Sequence, residues 1–170
     1  MDNKNFFKSL RVLYLAAMVT VLILGCHSYL IPYQGQTVSE KNQIRLDDGK
    51  DRFGSWQSED VIVEFSYTKT TSLLSITGFI DFDDSLKNSY TSLEHFFLWL
   101  HLIDAENKIV GFKRIDQKIL SNPIEKAPFH AEIELSPGVK AMTFSYSGKA
   151  TEHSEDGSLM TVFWKLPDDK

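Results

Sequence analysis

FHAEIELSPGVKAMTFSY, residues 129–146, is written with a period of two on both sides of a break. Phe129, Ala131, Ile133 and Leu135 fall on one face, with His130, Glu132 and Glu134 on the other. Ser136-Pro137-Gly138 interrupts the run. Met142, Phe144 and Tyr146 then alternate with Ala141, Thr143 and Ser145. Alternation of this kind is the signature of strands that bury one face. The break between them is turn chemistry.

The same period recurs outward in both directions. Val61, Val63, Phe65 and Tyr67 share a face, as do Leu74, Ile76, Gly78, Ile80 and Phe82. Residues 93–103, LEHFFLWLHLI, are apolar on both faces. Phe96, Leu98, Leu100 and Leu102 alternate there with His95, Phe97, Trp99, His101 and Ile103. That pattern predicts a central strand covered on both sides, and a helix capped near Ser92 is the alternative. Asp104 to Asn107 reads as a turn, and IVGFKRI at 109–115 as the returning strand. Asp156-Gly157 is a tight-turn signal, and LMTVFWK at 159–165 sets Met160, Val162 and Trp164 on one face. About seven short strands are expected, in one all-β sandwich spanning 60–170.

Two local resemblances point the same way. Leu135-Ser136-Pro137-Gly138 looks like the Leu-x-Pro-Gly corner between the last strands of fibronectin type III domains. Leu100-His101-Leu102-Ile103-Asp104 is similar to the Phe-x-Leu-Tyr-Asp signature of FxLYD-type extracytoplasmic domains, with Leu for Phe and Ile for Tyr. Together they imply an immunoglobulin-like β-sandwich, and no particular activity.

The amino terminus carries an address. Lys4, Lys8 and Arg11 precede the uncharged run VLYLAAMVTVLIL at 12–24, thirteen residues that suit a signal peptide and fall short of a spanning helix. The run ends in Ile23-Leu24-Gly25-Cys26, which resembles the lipobox of bacterial lipoprotein precursors. The resemblance implies cleavage after Gly25, lipidation of Cys26, and a membrane partner reached through that lipid. With His27 rather than Asp after the cysteine, it also implies delivery to the outer membrane, facing the periplasm, in a cell with two membranes. Leu30 and Ile31 extend the apolar run, so an uncleaved signal anchor is the alternative. On this reading, 1–25 is the signal peptide, and 26–59 is the lipidated Cys and a polar tether with an end-to-end distance of roughly 30 Å.

Composition narrows the function classes. The 170 residues are 42% hydrophobic and 24% charged, ordinary for a folded domain. Net charge is -5, and removing 1–25 leaves 15 basic against 22 acidic side chains. Such a surface repels phosphate backbones, so nucleic acid is not an expected partner. Cys26 is the only cysteine, which leaves the domain without disulfides or thiolate metal sites. No catalytic constellation, metal site or cofactor site is expected. Gly-x-Ser-x-Gly and phosphate-binding glycine loops are absent.

Weaker signals remain. His95 and His101 are six residues apart, about 20 Å along a strand, too far to share a metal. His130 and Glu132 have same-face spacing. Asp81, Asp83 and Asp84, and Asp47, Asp48 and Asp51, are carboxylate clusters without the spacing of a calcium loop. The candidate binding face is Phe97 and Trp99 with His95 and His101. The expected function is a membrane-anchored envelope lipoprotein that binds a protein partner without catalysis. A small-ligand or polysaccharide-binding module is the alternative.

Overall fold

The computed structural model describes residues 33–115, 124–154 and 157–168. The signal segment, the lipobox and Cys26 lie outside the described residues, as does Asp156 of the last turn.

Among the described residues nine strands follow one another: β1 (Ile44–Arg45), β2 (Gly49–Gln57), β3 (Val61–Lys69), β4 (Leu73–Phe82), β5 (Ser92–Ile103), β6 (Ile109–Ile115), β7 (Ala127–Glu134), β8 (Ala141–Ser154) and β9 (Gly157–Lys165). A short helix, α1 (Asp84–Ser89), separates β4 from β5. One sheet runs β2-β3-β4-β7. The other runs β8-β5-β6, with β1 and β9 both pairing β8. All pairings are antiparallel. The chain is therefore an all-β sandwich. Its β3-β4-β7 and β9-β8-β5-β6 orders follow the immunoglobulin-like arrangement.

The alternation read from the sequence is the alternation that is buried. Val61, Val63, Phe65, Tyr67, Leu74, Ile76, Ile80 and Phe82 face Leu98, Leu100, Leu102, Met142 and Phe144 across one core. The stretch at 92–103 is a strand, not a helix. A bulge between Leu93 and His95 changes its phase, so Leu93 and Phe96 both point inward while Glu94 and His95 are exposed. Gly78 and Gly148 permit close approach. A Cβ on Gly78 would stand 2.1 Å from the Glu64 carbonyl oxygen, and one on Gly148 would stand 2.3 Å from the ring tip of Phe163.

Turn chemistry holds at Asp104–Asn107 and at Ser136–Gly138. Asp104 Oδ1 accepts from the amides of Glu106 (3.0 Å) and Lys108 (2.8 Å). At the Ser136–Gly138 corner, Gly138 takes φ +90. Asp83 caps α1 by accepting from the Ser85 amide at 2.8 Å, and the polar run that follows had given no helix period.

The folded unit begins earlier than residue 60. Residues 33–57 belong to it, where a tether was expected. β2 pairs along β3, and Trp56 packs on Phe144 and Tyr146 at 5.6 and 6.1 Å between centroids. Val38 is buried with Ile103, Ile109 and Ala141, and its amide donates to the Asn107 carbonyl at 2.8 Å. β2 escaped a periodic reading because its inward positions include Gly54, and because Phe53 points outward, 82% exposed.

Candidate functional site

The outer face of the β6-β5-β8-β9 sheet collects the aromatic candidates. Register places them in rows across the strands. Arg114, Trp99 and Ser145 form one, Phe97, Ser147 and Trp164 the next, and His95, Lys149 and Val162 a third. β8 contributes the partly exposed Ser147 to this face, whereas Thr143 and Ser145 are buried beside the sealed end of β5. Ser147 lies between an aromatic ridge on β5 and an apolar ridge on β9. The ridge on β5 is continuous: His95 to Phe97 is 5.7 Å and Phe97 to Trp99 is 5.8 Å between centroids. The Arg114 guanidinium sits 5.5 Å from the centre of the Phe97 ring. Phe97 and Trp99 are half-buried, and Trp164 is 59% exposed.

Strand β5 was expected to be covered on both sides. Its inner side is covered throughout, but its outer side only toward the carboxyl end. There Tyr33 meets the His101 ring edge-on at 5.7 Å and Phe112 lies at 6.5 Å. The four candidate residues therefore divide. His95, Phe97 and Trp99 form the accessible part of the face. His101 is sealed, with 0% exposure, and does not belong to an open surface.

His101 Nε2 lies 2.7 Å from Ser145 Oγ, while Nδ1 has no partner. Burial lowers its pKa from 6.5 to about 4, because an imidazolium there would be charged without water or a counter-ion. Among the described residues, no carboxylate pairs with the imidazole.

The remaining polar signals resolve into local structure. Asp81 pairs with Lys87 at 2.7 Å, Asp83 caps α1, and Asp48 pairs with Lys69 at 2.8 Å. His130 and Glu132 stand exposed on the outer side of β7. Among the described residues, no group of three or more His, Cys, Asp or Glu side chains is placed to hold a metal ion. Lys149 bridges to Glu94 at 2.6 Å, and this contact, with the Thr151 hydroxyl, lowers the Glu94 pKa.

Sequence reasoning did not place Arg114, Ser147, Val162 and Trp164 on the site. The period of two grouped Met160, Val162 and Trp164 correctly. However, β9 is apolar on both faces, and alternation alone does not say which face turns outward. The opposite sheet holds a second shallow hollow beside Phe53, Ser66, Thr77, Phe79 and Pro128. Comparison with family models, curated proteins and solved structures gives no match.

Proposed function

We propose that this chain is a cell-envelope lipoprotein anchored through Cys26, and that its sandwich is a non-enzymatic protein-binding module. The observation that carries the second half is the partly exposed aromatic face. Phe97, Trp99 and Trp164 present large rigid rings, with Ser147 between Phe97 and Trp164 and Arg114 beside Trp99. Aromatic rings and arginine dominate binding energy at protein contacts because they bury much area with few rotatable bonds. The support for anchoring is the lipobox resemblance and the single cysteine.

Two measurements test this reading. Cys26→Ser should leave an unprocessed precursor that takes up no labelled fatty acid; unchanged labelling and size would refute the anchor. A photoreactive amino acid at position 97, activated in intact cells, should yield a discrete protein adduct. Absence of any protein adduct, with retention of the domain on a glycan column, would replace the protein partner by a polysaccharide.

A further inference from the structure

Among the described residues, one strand edge of the sandwich lacks the usual protection. Exposed edges invite pairing with another chain, and proteins blunt them with charges, proline or shortness. Edge strand β2 carries Lys50, Asp51 and Arg52, β6 carries Lys113 and Arg114, and β7 carries Pro128, Glu132 and Glu134. β1 has two residues. β9 has nine, with neither charge nor proline from Gly157 to Trp164. Leu159, Met160, Val162 and Trp164 are exposed by 59%, 55%, 63% and 59%. Among the described residues β9 pairs only with β8.

We infer that β9 pairs with β9 of a second copy of this chain, antiparallel about a two-fold axis through Thr161. The register follows from the side chains. A two-fold axis perpendicular to the sheet keeps outer faces on one side only if it passes through a residue. With Thr161 on the axis, Val162 lies across from Met160 of the second copy, and Trp164 across from Ser158. On the other face, Leu159 lies across from Phe163. Each exposed apolar side chain thus meets an apolar or small one, and no like charges oppose. Moving the axis to Phe163 would set Leu159 and Met160 against Pro167 and Leu166, beyond the strand's end.

Pairing would join two four-stranded runs into one sheet, β6-β5-β8-β9-β9-β8-β5-β6, with both aromatic faces on the same side. Nine paired residues and four apolar side chains per copy bury on the order of 1,000 Å² in total, the low end of specific interfaces. The contact is correspondingly weak in solution and is favoured where copies are concentrated. It stands independently of what binds the aromatic face.

Cysteine crosslinking of the full-length protein in its own membranes tests the pairing. Directly opposed antiparallel residues bring Cα atoms about 4.5–5.5 Å apart, within disulfide reach. Under mild oxidation, Thr161→Cys should give a disulfide-linked dimer at least tenfold above the unaltered chain, which controls for Cys26. Met160→Cys and Val162→Cys copies, expressed together, should crosslink to each other at least fivefold more than either does alone. Both positions are exposed, so this arm survives if Thr161→Cys fails to fold. Adding Val162→Lys to Thr161→Cys should lower the dimer at least fivefold. Failure of the mixed Met160 and Val162 pair to crosslink, or adducts whose mass is that of another protein, would overturn the inference.

Discussion

Acid should destabilise this domain through His101, and the size of the effect follows from its surroundings. The ring is sealed beneath Tyr33 and Phe112, accepts or donates one hydrogen bond with Ser145, and has no partner at Nδ1. Its pKa of about 4 in the fold compares with 6.5 for an ordinary histidine. Between those values the unfolded chain binds more protons than the folded one, so stability rises with pH. The contribution is complete above pH 6.5 and is lost as pH falls through about 4. A difference of that size corresponds to ~3 kcal/mol. The assay is urea unfolding of residues 33–170 at half-unit steps from pH 7.5 to 4, for the native sequence and for His101→Gln. Carboxylate titration is common to both proteins, so the difference between the two curves isolates His101. The native protein should lose ~3 kcal/mol more than the variant across this window. Parallel curves would show that His101 is solvated or paired in solution, and would refute the sealed-imidazole reasoning.

Three other outcomes are expected. Residues 33–170 should fold without lipid or metal and give a β-type circular dichroism spectrum, whereas a fragment starting at Glu59 should be less stable by ~3 kcal/mol or more, because it loses Trp56 from the core; equal urea midpoints would return 33–57 to the status of a tether. Gly148→Ala should cost ~1–3 kcal/mol, since the new methyl would overlap the Phe163 ring, and an unchanged thermal midpoint would contradict that packing. Asp83→Ala should cost ~1 kcal/mol through loss of the α1 cap, read from the same midpoint, with Asp83→Asn recovering most of it.

The strands with alternating faces were legible because burial on one side imposes a period of two that the residues between 61 and 165 keep. The Asp104–Asn107 turn was legible because its side-chain chemistry is local. β1 and β2 were not, because edge strands are held by backbone pairing, β1 to β8 and β2 to β3, and need few apolar side chains of their own. Their sequence, with Gly54 inward and Phe53 outward, carries charge and glycine as a tether would. The site was legible in part. Apolar content on both faces singled out β5, but not which neighbours its outer face acquires, since Arg114, Ser147 and Trp164 arrive by cross-strand register. Nor does alternation distinguish Trp99, half-open, from His101, sealed. That difference comes from Tyr33, 68 positions earlier in the chain, which folds back over one end of the strand.

If the half-open aromatic face serves binding rather than packing, Trp99→Ala separates the two roles. Trp99 lies outside the core, so its loss should cost ~1 kcal/mol of stability, well below the ~3–5 kcal/mol of a core tryptophan. As a binding anchor its truncation should cost ~2 kcal/mol or more of affinity, about a thirtyfold loss of partner recovery. The thermal midpoint of purified residues 33–170 and recovery of partner from crosslinked membranes are measured in parallel. A nearly unchanged midpoint with lost recovery is the expected result. A large fall in midpoint with recovery unchanged would make Trp99 structural and rule out a binding role for it.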